Sequence, residues 1–281
     1  MRAPALRGPA PGLEARLGRF ILIAAGAALL AAADASAEDV QTFGSFAPGV
    51  ARFSADSGVE GNLASIPITL GMRVRRLSLR ASVPYLDLSA RTPEIPLTGP
   101  ILGLSIPEQS YDRSGIGDVV FTPAVLLAGG KGHSALWGSV RAKFPTADEE
   151  NGLGTGQFDY APGLGVLVPL GTRFTAGAMA RYDVRGDTAD IEYEDHLAAT
   201  VGGTVRIGLL DALTAMVSRG DVSPDRGDPV DTFSLAWYHP FVPGHGAAFT
   251  ATALTGLGGD PQTLGLSIGV SFNDGPWDWG R

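Results

Sequence analysis

The most constraining feature of this sequence is a strict alternation of apolar with small or polar residues over unusually long segments. In TLGLSIGVSF, every second residue from Leu264 to Phe272 is large and apolar, and the residues between them are Gly and Ser. A period of two places alternate side chains on opposite faces of a β-strand. The alternating segments run for about 10–13 residues, whereas strands of soluble sheets are usually ~5–6 residues long. Because a tilted membrane-spanning strand needs ~9–11 residues, the pattern predicts a transmembrane β-barrel.

Twelve such strands are predicted along the chain, and their connections alternate in length. An even strand number is typical of bacterial single-chain barrels, which have short periplasmic turns and longer external loops. Here short joins such as 170–171 alternate with longer, more polar joins such as 88–114 and 145–156. Both chain ends then fall on the periplasmic side. We predict an all-β, up-and-down antiparallel barrel with strands near 49–56, 63–74, 76–87, 115–127, 134–144, 157–169, 172–184, 194–208, 211–219, 230–239, 246–255 and 263–272.

The first residues have the pattern of a secretory signal peptide. A basic region precedes the apolar run Phe20–Ala33, and the small residues Ala35 and Ala37 match a cleavage site. The apolar run is shorter than the ~20 residues that a spanning helix needs. We therefore predict a cleaved signal peptide at 1–37 and a barrel at 38–281.

Composition and charge exclude several other classes. The chain has no cysteine, which excludes a disulfide framework and a thiolate metal site. Its formal net charge is −8, and the predicted leader removes more basic than acidic residues. An exported acidic protein is a poor binder of nucleic acid.

The inward face of the predicted barrel carries charges of both signs, with bases in excess. Two interpretations are open: the charges form cross-strand ion pairs that fill a narrow barrel, or they leave a weakly positive pore that favours anionic or aromatic solutes. The candidates for lining the lumen are Arg73, Arg80, Asp118, Arg141, Lys143, Asp159, Arg173, Arg181, Asp183, Glu194, His196 and Arg206.

Two motifs suggest other chemistry, but their context is against it. The GLGTG loop, Gly152–Gly156, lacks the spacing of a dinucleotide fingerprint and is followed by an alternating strand, not a helix. His196 is the histidine best placed for a lipid hydrolase, since it points into the lumen near the external end, but no serine partner is identifiable. We predict no catalytic residue, no metal site and no cofactor.

Several short motifs, taken in order, resemble one family of outer-membrane proteins. They are the hairpin segment Pro67–Tyr85, the GIGD segment Gly115–Asp118 and the segment Lys143–Asp159, which reads KFPTADEENGLGTGQFD. In this order they resemble the MetA-pathway phenol-degradation-like family of outer-membrane transporters. The last motif departs from the family pattern, with Ala147 where Gly is usual. The resemblance implies a barrel linked to the uptake of aromatic or other small hydrophobic compounds, and it supplies no binding residues.

The expected function is passive uptake of a small solute, with aromatic and anionic solutes favoured, across the outer membrane of a Gram-negative cell. The alternatives are a structural barrel and a lipid-modifying hydrolase, neither of which transports, and a soluble exported β-sandwich. The expected partners are outer-membrane lipid, the solute and the barrel-assembly machinery during biogenesis. No nucleic-acid partner is expected, and the oligomeric state is left open.

Overall fold

Long antiparallel strands form the main body of the molecule. The computed structural model describes residues 40–54, 60–92, 95–96, 105–106, 109–130, 132–148, 153–154, 156–186, 195–208, 210–222, 229–241, 247–257 and 262–272. The predicted signal peptide and Glu194 lie outside these residues. Within them, no helix is long and apolar enough to cross a bilayer.

The strands are β1 (Val40–Phe46), β2 (Gly49–Ser54), β3 (Glu60–Val74), β4 (Leu77–Thr92), β5 (Ile95–Pro96), β6 (Ser105–Ile106), β7 (Gln109–Ile116), β8 (Val119–Gly129), β9 (Ala135–Phe144), β10 (Asp159–Leu170), β11 (Phe174–Asp183), β12 (His196–Ile207), β13 (Asp211–Val222), β14 (Pro229–Pro240), β15 (Ala247–Gly256) and β16 (Gln262–Phe272).

The sheet closes on itself as a barrel of twelve strand positions. Each main strand pairs antiparallel with its neighbour, and β16 pairs with both β1 and β2. The segments β1 and β2 make one interrupted strand, because both pair with β3, and β7 and β8 make another, because both pair with β4. The short β5–β6 hairpin forms a separate two-stranded sheet. The predicted fold class, a closed twelve-stranded antiparallel barrel, is confirmed.

The first strand differs most from its prediction. The sequence pattern placed it at 49–56, but pairing begins at Val40 and is interrupted at Ala47 and Pro48. The alternation is poor in β1 because the large Phe43 points inward and Gly44 outward. Hydrogen bonds from Ala47 N to Pro67 O and from Ile268 N to Pro48 O carry the ladder through the interruption.

Connection lengths distinguish the two ends of the barrel. At one end the strands are joined by short segments, such as 75–76, 171–173 and 208–210. At the other end the joins are mostly longer, including 93–108, 145–158 and 184–195. In bacterial outer-membrane barrels the longer loops face the exterior. We therefore call the two ends the periplasmic end and the external end.

The outside of the barrel is an apolar belt. Leu264, Leu266 and Ile268 on β16 each expose more than half of their surface, and every strand from β8 to β12 also exposes large apolar or aromatic side chains. In a membrane these side chains contact lipid instead of water, so their exposure has no hydrophobic cost. Facing inward instead are small polar residues, and pairs such as Thr204–Thr214 and Thr200–Ser218 hydrogen-bond across neighbouring strands.

One part of the inner wall is apolar. Ala135, Trp137 and Leu167 are buried together there, and Ala124 and Leu126 pack against them. This apolar wall lies in the periplasmic half of the lumen, where β8, β9 and β10 are neighbours. Its centre is the Trp137 indole, which lies over the backbone of Gly165.

Replacing Gly165 with valine should destabilise the barrel, because a Cβ at this position overlaps the Trp137 ring. We expect a loss of about 1–3 kcal/mol, as is usual for overpacking, measured by urea unfolding in lipid vesicles. The matched control is Gly138→Val on the lipid-facing side, where a Cβ has its nearest contact at 3.6 Å, to Leu127. Equal losses for the two variants would contradict the packing assigned to Trp137.

Candidate functional site

Half of the predicted lumen charges lie together near the external end. Five neighbouring strands, β9 to β13, contribute to a cavity of about 370 Å³ on the inner wall. The predicted residues that line it are Arg141, Lys143, Asp159, Arg181, Asp183 and His196. We refer to this group as the mouth cluster. Tyr160, Val184, Arg185 and Gly220 also contribute to the lining.

Lys143 links two carboxylates at the edge of the mouth cluster. Its Nζ lies 2.5 Å from Asp159 Oδ2 and 3.5 Å from Asp118 Oδ2. The β9–β10 register pairs Lys143 directly with Asp159, and both residues point to the same face. All three side chains are mostly buried, so their charges stabilise each other in a region of reduced water access.

The two carboxylates that contact Lys143 also hold the bases of two external loops. Asp118 Oδ1 accepts hydrogen bonds from the backbone N–H groups of Thr146, at 3.1 Å, and Ala147, at 3.0 Å. Asp159 Oδ1 accepts one from Gly186 N at 3.0 Å. Lys143 therefore connects the 145–158 loop with the 184–195 loop.

The glycine-rich segment of the 145–158 loop packs back onto this junction. A Cβ at Gly154 would lie 2.9 Å from both carboxylate oxygens of Asp118, and one at Gly115 would lie 2.7 Å from Leu153. Thr146 Oγ1 accepts a hydrogen bond from Val119 N at 2.9 Å. Two of the motifs that carry the family resemblance, Gly115–Asp118 and Lys143–Asp159, thus meet in space and form a loop anchor.

Asp183 is the centre of the rest of the mouth cluster. Arg181 Nε donates to both of its oxygens, at 3.1 and 2.9 Å. Arg141 Nη1 lies 4.0 Å and His196 Nε2 3.5 Å from the same carboxylate. The carboxylate is buried, and the surrounding bases compensate its charge.

His196 is engaged with the barrel backbone. Its Nε2 makes a hydrogen bond with the Gly220 carbonyl, and its Nδ1 is buried with no hydrogen-bond partner among the described residues. A carbonyl oxygen only accepts, so Nε2 carries the hydrogen. Its polar contacts in the part of the chain that the structure describes are Asp183 and Gly220, and no serine hydroxyl is among them. This geometry does not fit the activation of a nucleophile.

The remaining predicted residues lie toward the periplasmic end. The guanidinium carbons of Arg73 and Arg80 lie 5.0 and 5.3 Å from the ring centre of Phe43, which is fully buried. Arg173 and Arg206 lie near the periplasmic turns, and Arg206 N donates to Arg173 O at 2.8 Å. Four of the seven predicted lumen arginines and lysines therefore lie outside the mouth cluster.

Sequence reasoning did not include several residues that shape the lumen. Trp137 and Leu167 form the apolar wall, Phe43 supports two arginines, and Arg185 lines the cavity. The lumen candidates were chosen by charge, and this choice omits large apolar side chains on the inward face. Trp137 is an even number of residues from Arg141 and Lys143, so the alternation already placed it on the inward face.

A closed twelve-stranded antiparallel barrel with an apolar outside and a polar inside is an outer-membrane β-barrel. A family model described as MetA-pathway of phenol degradation matches residues 38–236. The chain belongs to this family, as its motifs suggested.

Comparison with one solved structure supports the fold, and a second alignment is weaker. An outer membrane channel from Pseudomonas putida F1 aligns with a TM-score of 0.60 and 14% identity, covering 82% of this chain and 94% of that chain. The P. putida toluene transporter TodX aligns with a TM-score of 0.46 and 9% identity, over 84% of this chain and 89% of that chain. No curated protein sequence matches the chain.

Replacing Lys143 with methionine should leave Asp118 and Asp159 buried without their shared cation. We expect a loss of roughly 3 kcal/mol in the free energy of unfolding, the order found when one member of a buried ion pair is removed. We also expect faster proteolysis of the 145–158 loop, because its anchor is weakened. Urea unfolding in vesicles and limited proteolysis measure the two effects.

The matched control is Arg52→Met, which removes a base from an ion pair that is exposed. Arg52 Nη2 lies 3.3 Å from Glu60 Oε2, and the two side chains are 71% and 62% exposed. Such a pair contributes about 1 kcal/mol or less. If Lys143→Met is as mild as the control, the loop anchor assigned to Lys143 is wrong.

Proposed function

We propose that this barrel is a passive outer-membrane channel for small solutes that carry an anionic group, with aromatic solutes the favoured class. The observation that carries the proposal is the exposure of Arg141 to the lumen. Its side chain is 48% exposed toward the cavity, against 16% for Lys143 and 20% for Arg181. Lys143 and Arg181 are held in close ion pairs, whereas Arg141 lies 4.0 Å from Asp183. Arg141 therefore keeps hydrogen-bond donors available for a solute.

A second base, Arg80, lies near Arg141 on the inner wall. Arg80 on β4 and Arg141 on β9 lie on the two strands that flank β8. Two strand spacings separate their backbones, which is about 10 Å. Two basic side chains at this spacing attract anions, as rings of bases do in anion-selective pores.

The preference for aromatic solutes is supported by the family description, which names phenol degradation. Trp137 and Leu167 lie deeper in the lumen than the mouth cluster, on the same strands, β9 and β10, and make this part of the inner wall apolar. Their side chains are only 7% and 4% exposed, so they give the wall its apolar character without offering an open binding surface.

Replacing Arg141 with glutamine should lower the anion-to-cation permeability ratio by about two- to fivefold, the effect of losing ~0.5–1 kcal/mol of attraction to a partly solvated anion. Reversal potentials in planar bilayers measure the ratio, first with chloride and then with benzoate. The control is Arg219→Gln, which makes the same charge change at a side chain that is 72% exposed and pairs with Asp231. The control should leave the ratio unchanged.

Zero conductance and no swelling of liposomes with any of these solutes would overturn the proposal in favour of a structural barrel. Equal effects of the two substitutions would show that the net charge of the barrel, not Arg141, sets selectivity. Phospholipid hydrolysis by the purified barrel, lost in His196→Ala, would instead support the hydrolase alternative.

A further inference from the structure

A polar cluster lies on the lipid-facing surface near the periplasmic end. It contains Asp211, the first residue of β13, together with Trp237 and His239 on β14. Trp237 Nε1 donates to Asp211 Oδ1 at 2.9 Å, and His239 Nδ1 lies 2.9 Å from the same oxygen. A carboxylate on the outside of a membrane barrel is costly unless it lies at the headgroup level.

Aromatic rings place the cluster at that level. The Trp237 indole stacks on His239 with ring centres 5.5 Å apart and meets Phe249 edge-on at 6.0 Å. The ring centre of Phe241, just beyond the end of β14, lies 6.3 Å from that of Phe249. Girdles of this kind mark the boundary between hydrocarbon and headgroups. The molecules that adjoin the cluster in a membrane are therefore phospholipids of the periplasmic leaflet.

The cluster contains hydrogen-bond acceptors that its own donors do not use. Both donors use Oδ1 of Asp211, and among the described residues no hydrogen bond reaches Oδ2. Because a carboxylate only accepts, His239 Nδ1 carries the hydrogen, and Nε2 of the neutral ring is then a second open acceptor. The side chains of Asp211 and His239 are 34% and 38% exposed, so both acceptors can be reached from outside.

The charge around these acceptors favours a cation. His239 is the only side chain in an ion pair with Asp211 among the residues that the structure describes, and it is charged only when protonated. The pair of Arg219 with Asp231 lies at the external end of β13 and β14, far from the cluster. The Trp237 and Phe249 rings also present faces that attract ammonium groups.

We propose that Asp211, Trp237 and His239 form a binding site for a phospholipid whose headgroup carries a primary ammonium. The ammonium N–H groups donate to Asp211 Oδ2 and His239 Nε2, while the acyl chains follow the apolar belt. A quaternary choline headgroup has no N–H to donate. A headgroup with net negative charge is repelled by the carboxylate. This site is independent of the proposed channel activity.

The test uses the full barrel in nanodiscs of phosphatidylglycerol doped with one other lipid, and native mass spectrometry measures how much of that lipid stays bound. The dopants are phosphatidylethanolamine, its mono- and dimethyl derivatives and phosphatidylcholine, which differ in the number of N–H donors. We expect binding to weaken stepwise along this series, with phosphatidylethanolamine about tenfold tighter than phosphatidylcholine, as for loss of a hydrogen bond to a charged group. Asp211→Asn should abolish the preference, because the amide NH₂ donates where the carboxylate accepted.

The control Asp231→Asn removes a carboxylate from the other end of the same two strands and should keep the full preference. His239→Phe retains a ring against Trp237 but loses Nε2, so it should reduce the preference partly. That variant tests the site even if Asp211→Asn does not fold, as judged by the absence of heat-modifiable migration on a gel. Equal retention of all four dopants, or an unchanged preference in a folded Asp211→Asn or His239→Phe barrel, would overturn the proposal.

Discussion

The structure depends on one constraint: a sheet that crosses a bilayer can leave no backbone N–H or C=O group unpaired. The pairing of β16 with β1 and β2 meets this constraint by removing both edges of the sheet. Closure creates an outside that must suit lipid and an inside that is free to be polar. Both the apolar belt and the mouth cluster follow from this separation.

Inside the barrel, most of the charge serves the structure. Lys143 forms ion pairs with two carboxylates, both of which accept hydrogen bonds from the backbone of an external loop. Asp183 accepts hydrogen bonds from Arg181. Of the two sequence interpretations, ion pairs that fill a barrel describe Lys143 and Asp183, whereas bases that attract a solute are what we propose for Arg141. Arg141 is the member of the mouth cluster whose geometry leaves it open to the lumen.

Much of the fold could be predicted from the sequence because lipid acts on every strand in the same way. An outward residue must be apolar wherever it lies on the circumference, so alternation indicates strand, face and length together. The prediction was poorest for β1, where Phe43 is buried inside against Gly71 and is not exposed to lipid. Alternation also does not show which inward side chains meet. It placed Arg141, Arg181 and Asp183 on the inward face, but the contact of Asp183 with both arginines follows only from the structure.

The loop anchor has a mechanical consequence. Because one ammonium group connects the carboxylates that hold the 145–158 and 184–195 loops, a displacement of either loop is transmitted to the other through Lys143. The described bases of the two loops are therefore coupled on this side of the barrel. A peptide tag or epitope inserted beside Thr146 or Gly186 will strain both bases, so these positions are poor sites for surface display.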